Sequence, residues 1–208
     1  MRHYLKILFL LLIPISLKSQ KVLDEVVINS GRILTPFSDE NRNLIIIDSV
    51  FLNNSSAKNL SEILQQVIGV DIRRRGNDDI QSDLYIRGGS FDQTLLLING
   101  IKVEDSQTGH HQMNLSVPIN LIDKIEILKG PGSRIFGMNA FNGAVNIITK
   151  KNSDNGNINL GYGSFKTFQG SGSIPINTKK TSHILSSTYR QSDGYRYNTD
   201  YNYFNLFY

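Results

Sequence analysis

Few side chains in this 208-residue sequence could do acid–base, nucleophilic or metal chemistry. There is no cysteine, which removes disulfides, thiol nucleophiles and thiolate metal sites. The four histidines, His3, His110, His111 and His183, are too scattered to argue a Ser-His-Asp arrangement. Gly130-Pro131-Gly132-Ser133 lacks the Gly-Lys-Ser/Thr ending that cradles phosphate and Mg²⁺. Asp78, Asp79 and Asp83 lie close together but without the twelve-residue spacing of an EF-type Ca²⁺ loop. Arg73-Arg74-Arg75 stands beside a glycine and reads as a solvated turn. The richest polar stretch is Asp105-Ser106-Gln107-Thr108-Gly109-His110-His111-Gln112-Met113-Asn114. Adjacent histidines in an extended segment point to opposite sides, so a two-histidine metal site is not expected there. The sequence predicts no enzyme, no resident metal and no cofactor.

Charge excludes another class. The formal net charge is +4, from 22 basic and 18 acidic side chains. Arg2, Lys6 and Lys18 account for most of it; without them 19 basic face 18 acidic residues, a net of +1. No general attraction to nucleic acid follows. Those three residues flank the apolar run Ile7 to Ile15, broken only by Pro14, with a more polar exit from Ser16 to Gln20. A positive start, a short apolar core and a polar exit make the pattern of a secretory signal peptide over residues 1–20. The run is shorter than the roughly 20 residues a membrane-spanning helix needs.

Asp24 to Asn29, DEVVIN, is a short β-prone segment. Residues 29–43, rich in Ser, Asn, Gly, Arg and Asp, read as a mobile flank. An isolated strand needs a partner edge. The segment is therefore either the first strand of the following domain or a peptide offered to another protein by strand addition. Leu44 to Ile47 is a short buried strand, and Leu60, Ile63, Leu64 and Val67 share a helical face preceded by Ser55, Ser56 and Asn59. Val70 to Ile72, Leu84 to Ile86 and Thr94 to Ile98 are strands. Asn99-Gly100 before Ile101-Lys102-Val103 is a two-residue hairpin signal, because both turn residues must take positive φ. Pro118 opens a short helix, Lys124 to Leu128 alternates as a strand, Gly130 and Pro131 break it, and Ala144 to Thr149 is a last strand. Residues 44–150 thus predict an α+β domain with a small mixed sheet and short helices.

After Lys150 no helical period is present. Asn157 to Tyr162, Lys166 to Ile174, Ser182 to Arg190 and Tyr201 to Tyr208 alternate, with aromatic residues near their ends. That is the per-segment signature of a transmembrane β-barrel. Four strands cannot close one, since bacterial barrels have at least about eight. Residues 151–208 are therefore expected to be the opening antiparallel strands of an incomplete, truncated barrel.

Together these residues resemble the N-terminal region of TonB-dependent outer-membrane receptors, nearest the Bacteroidetes-type and cobalamin- and siderophore-uptake branches. The matching elements run in the family's order: Asp24-Glu25-Val26-Val27-Ile28, then Ile68-Gly69-Val70-Asp71, Ile86-Arg87-Gly88 and Leu97-Ile98-Asn99-Gly100-Ile101. Ile125-Glu126-Ile127-Leu128-Lys129-Gly130-Pro131, Ile135-Phe136-Gly137 and Asn142-Gly143-Ala144-Val145-Asn146-Ile147-Ile148-Thr149 complete the series. The resemblance implies a plug domain inside a barrel of about 22 strands. It implies a TonB box at Asp24, Glu25, Val26, Val27 and Ile28 within residues 21–43, pulled by the periplasmic TonB protein. It implies polar plug–barrel or intra-plug contacts from Arg87, Glu126 and Arg134. It also implies an apical loop facing a small-molecule or chelate ligand through Asp105, Gln107, His110, His111 and Gln112. The other partner would be outer-membrane lipid, and the product would be exported to the cell outer membrane with the plug facing periplasm and lumen. A chain with only the opening strands is not expected to transport alone. The alternative is an exported plug-only ligand- or protein-binding module.

Overall fold

A computed structural model describes residues 27–28, 35–36, 42–76, 81–105, 107–113, 115, 117–151, 155–178 and 180–208. The signal-like residues 1–20, the expected TonB-box residues Asp24, Glu25 and Val26, and Asp78 and Asp79 lie outside the described residues. Val27 and Ile28 form β1 (Val27–Ile28), which pairs antiparallel with β2 (Thr35–Pro36).

The plug core is a five-stranded mixed sheet. Its strands are β3 (Leu44–Ile47), β6 (Thr94–Ile98), β7 (Ile101–Lys102), β8 (Ile122–Lys129) and β9 (Gly143–Thr149), in the order β3-β8-β9-β6-β7. Only β6 and β9 run parallel. Ile125, Ile127, Val145, Ile147 and Leu96 point from one face into the main core. Each such side chain contributes about 1.5–3 kcal/mol on burial. Leu44, Leu95, Leu97, Leu128 and Ala144 point from the other face into a smaller cluster with Phe136 and Ala140.

Two short helices cover the main core. In α1 (Ser49–Asn54), Asp48 caps the first turn by accepting the Phe51 N–H at 2.8 Å. In α2 (Leu60–Gln65), Asn59 accepts the Glu62 N–H at 2.9 Å and Glu62 accepts the Lys58 N–H at 2.7 Å. Leu60, Ile63 and Leu64 are buried beneath. The sequence pattern locates α2 but not α1, whose Ser-Val-Phe-Leu-Asn-Asn has weak helix propensity and forms because Leu52 docks on the core.

The hairpin of β4 (Val70–Arg75) and β5 (Gln81–Ile86) packs Val70, Ile72, Leu84 and Ile86 into the same core. This corrects the reading of Arg73-Arg74-Arg75 as a turn. They are strand residues paired with Asp83, Ser82 and Gln81. A third short helix, α3 (Ser133–Phe136), follows the Gly130-Pro131-Gly132 break.

The remaining strands are β10 (Asn157–Gly163), β11 (Thr167–Asn177), β12 (Ser182–Ser192) and β13 (Tyr201–Phe207). They form an open antiparallel meander in chain order. The register puts Ile158, Leu160, Tyr162, Ile174, Ile176, Leu185, Phe204 and Leu206 on one face, all exposed. The opposite face carries Asn159, Gln169, Ser171, Thr188, Arg190, Tyr203 and Asn205 and meets the plug, with Ile184 and Phe207 packed against the main core. No helix among the described residues is long and apolar enough to cross a membrane, which says nothing of strands.

Candidate functional site

The polar loop is held down at several points. Asp105 Oδ1 accepts the Gln107 and Thr108 N–H groups at 2.8 and 2.9 Å, closing a tight turn. The Thr108 hydroxyl accepts the His110 N–H at 3.3 Å, starting a 3₁₀ turn over Gly109–His111. The segment around the two histidines is therefore a tight turn within the expected loop, not the extended backbone assumed for the adjacent histidines. His110 Nδ1 lies 2.9 Å from Asp83 Oδ1, and its ring centroid lies 4.4 Å from that of Phe91. Asp83 is fully buried, and its Oδ2 is 3.6 Å from Arg75 Nη2. Gln112 and Met113 are buried, so they anchor the loop's end. Sequence reasoning set Asp83 aside with the acidic run; no local signal marks it, because its partners come from β4 and from the loop.

On β4, Arg73 lies over the Tyr85 ring at 4.2 Å and donates from Nε to Asp71 at 3.1 Å. The Asp71 hydrogen bond raises the guanidinium pKa above its ordinary value, so Arg73 is a fixed cation. Among the described residues no group of three or more His, Cys, Asp or Glu side chains could hold a metal ion.

The motif residues occupy distinct places. Glu126 is fully buried on β8, opposite Ile46 and Asn146, with Lys124 Nζ 2.9 Å from Oε1. Arg87 is exposed with φ +53°, and its Nη1 lies beside Gly130, while its N–H donates to Gly69 O at 3.1 Å. Arg134 is exposed in α3. Neither arginine has an ion-pair partner among the described residues, so the three motif residues do not form one cluster. Asn99 and Gly100 take φ of +52° and +81° and form the turn between β6 and β7. Gly130 donates to Asn142 O at 2.9 Å, which turns Pro131 outward.

Between the plug and the polar face of the meander lies a cavity of about 360 Å³. Lys58, Asn59 and Asn120 line it from the plug, and Gln169, Arg190 and Tyr203 from the sheet. The Arg190 guanidinium lies over the Tyr203 ring at 4.8 Å, and the Tyr203 hydroxyl reaches Leu115 O at 3.5 Å.

This geometry can be set against known proteins. The family profile described as TonB-dependent Receptor Plug Domain matches residues 37–144, which is over half the chain. The chain belongs to the TonB-dependent receptor plug family. The chain is 30% identical over 159 residues to the vitamin B12 transporter BtuB of Vibrio vulnificus strain CMCP6. That match covers 74% of this chain and 26% of the relative. BtuB of V. vulnificus strain YJ016 is 29% identical over 197 residues, 90% of this chain and 32% of that protein. The chain thus spans about a quarter to a third of the length of these curated relatives. Among solved structures, the pyoverdine outer membrane receptor FpvA of Pseudomonas aeruginosa PAO1 superposes with a TM-score of 0.61 at 16% identity. It covers 80% of this chain and 24% of FpvA. The ferric yersiniabactin uptake receptor FyuA of Yersinia pestis gives 0.55 at 18% identity, over 74% of this chain and 24% of FyuA. At these identities the structural likeness speaks for the fold: an α+β plug followed by antiparallel strands. The relatives are transporters and receptors, not enzymes.

Proposed function

We propose that this plug and its strands act as the N-terminal part of an outer-membrane receptor for energy-coupled uptake of a scarce ligand, such as a ferric siderophore or cobalamin. The observation that carries the proposal is the sidedness of the β10–β13 sheet. Its apolar face is exposed and its polar face meets the plug. A water-soluble sheet does the reverse, whereas a sheet in lipid turns apolar residues outward and encloses a polar lumen. The plug would gate that lumen. Residues 1–20 would serve as an export signal, 21–43 as the TonB box and its flank, 44–150 as the plug and 151–208 as barrel strands.

Asp24 to Ile28 would be the handle. The outer membrane has no ATP, so energy must be delivered by contact, and strand addition supplies grip through backbone hydrogen bonds. That Val27–Ile28 already takes strand form against Thr35–Pro36 supports this use. The vitamin B12, pyoverdine and ferric yersiniabactin named for the relatives motivate the ligand class. The test is binding of the purified periplasmic domain of TonB to the full chain in detergent micelles, by calorimetry. Val27→Pro removes one backbone donor from the box and should lower affinity at least about tenfold. Equal binding by this variant would remove the box assignment. Failure of the wild-type chain to bind TonB at all would favour the plug-only binding module.

A further inference from the structure

Three asparagines are followed by glycine: Asn99-Gly100, Asn142-Gly143 and Asn155-Gly156. A glycine has no side chain to shield its backbone nitrogen, so that nitrogen can approach the preceding side-chain amide. The fold treats the three pairs differently. The Asn99 amide exchanges two hydrogen bonds with Thr149, and the Gly100 N–H donates to Asn146 Oδ1 at 2.9 Å. Amide and nitrogen are both held. Asn142 Nδ2 donates to Gln93 Oε1 at 2.7 Å, its N–H donates to Gln93 O at 3.0 Å, and its carbonyl accepts from Gly130 at 2.9 Å. Its side chain fills the space beside Gly89, where even a Cβ would overlap it, and Gly143 is buried at the start of β9. Neither Asn99 nor Asn142 can swing Cγ onto the next nitrogen without breaking these contacts.

Asn155 and Gly156 lie in the connector from β9 to β10, outside every helix and strand, and both are exposed. The connector is anchored at its two ends. Lys150 donates to Leu121 O and Asn120 O, and Asn157 pairs with Ser173 of β11. A Cβ on Gly156 would lie 3.0 Å from Ser173 O. The close approach to β11 thus favours the one residue that leaves the nitrogen unshielded.

We propose that Asn155 is a site of self-catalysed deamidation, by which the connector between plug and meander gains a carboxylate and, in the isoaspartyl form, a backbone methylene. The Gly156 nitrogen loses its proton and attacks Asn155 Cγ. The new C–N bond closes a succinimide ring, the Cγ–Nδ2 bond breaks, and ammonia leaves with a proton. Water then adds to either ring carbonyl and opens the ring. One opening gives aspartate; the other gives isoaspartate, whose main chain runs through the former side chain. Water is the only co-reactant, and nothing is oxidised or reduced. This chemistry is independent of the receptor reading above.

The full chain in detergent micelles is incubated in mildly alkaline buffer, either folded or in urea. Tandem mass spectrometry of its peptides reads amide loss at each asparagine, and fragment ions separate Asn155 from Asn152 and Asn157. In the folded chain Asn155 should convert at least about tenfold faster than Asn99 or Asn142, which react only through local opening. In urea the three rates should converge. Conversion should rise with pH, because the attacking nitrogen must lose its proton. Part of the product should accept a methyl group from an isoaspartate-specific carboxyl methyltransferase. Gly156→Ala should slow conversion about tenfold, since the Cβ shields the nitrogen and restricts the backbone. Asn155→Gln, which would have to close a larger ring, should nearly abolish it. An unmodified Asn155 in the folded chain, equal rates at the three sites, or a preference for Asn155 that persists in urea would overturn the proposal.

Discussion

Asn99 and Thr149 exchange two hydrogen bonds at one end of the plug sheet: Asn99 Nδ2 donates to Thr149 Oγ1 at 2.8 Å, and Asn99 Oδ1 accepts the Thr149 N–H at 2.9 Å. The Asn99 N–H also donates to Ile147 O, and the Gly100 N–H to Asn146 Oδ1. The β6–β7 turn is thereby fastened to the last plug strand. Just beyond it, Lys150 donates its N–H to Leu121 O and its Nζ to Asn120 O. The point where plug becomes meander is thus clamped from both sides. Asn99→Ala removes both side-chain bonds and puts alanine at a positive φ, so it should cost about 2 kcal/mol. Thr149→Val removes one acceptor and should cost about 1 kcal/mol. Urea unfolding of the chain followed by fluorescence or circular dichroism gives both numbers, and equal losses would mean that the turn conformation contributes nothing.

Glu126 and Lys124 form an ion pair inside the sheet's smaller layer, with Lys124 only 14% exposed. Glu126→Ala should destabilise by about 3–5 kcal/mol, because it leaves a nearly buried ammonium behind. The double change Lys124→Met with Glu126→Leu should restore most of that loss, since two buried charges are then removed together. A double variant as unstable as Glu126→Ala would show that Glu126 acts through its other contacts.

Gly143 begins β9 against the backbone of β8. A Cβ there would overlap Leu128 O and lie 2.9 Å from Ile86 Cδ1. Gly143→Val should therefore cost several kcal/mol, of the order seen for overpacking plus a strained strand pair, about 3 kcal/mol or more. Chemical denaturation measures it, and a midpoint within error of wild type would mean that the β8–β9 contact relaxes freely.

The sidedness of the meander predicts opposite tolerance on its two faces. Leu160→Arg places charge on the exposed apolar face, where a midplane position in lipid costs about 2–4 kcal/mol. Ser171→Arg on the polar face should cost far less. Heat-modifiable migration and protease protection after reconstitution into phosphatidylcholine vesicles compare them. Equal insertion would mean that this face does not meet lipid.

Much of this was written in local sequence. Period-two alternation put Ile158, Leu160 and Tyr162 on one face, Asn99-Gly100 marked a turn that only residues tolerating positive φ can make, and the apolar spacing of Leu60, Ile63 and Leu64 marked a helix; each depends on neighbours a few residues apart. Local sequence misread Arg73-Arg74-Arg75 and missed α1, because pairing with β5 and docking of Leu52 override weak local preference. The tertiary structure alone decided which meander face meets the plug, that Glu126 is buried with Lys124, and that His110 turns inward to Asp83, 27 residues away in the chain. A buried charge is set by what non-local packing brings over it, and no spacing within a strand or loop records that.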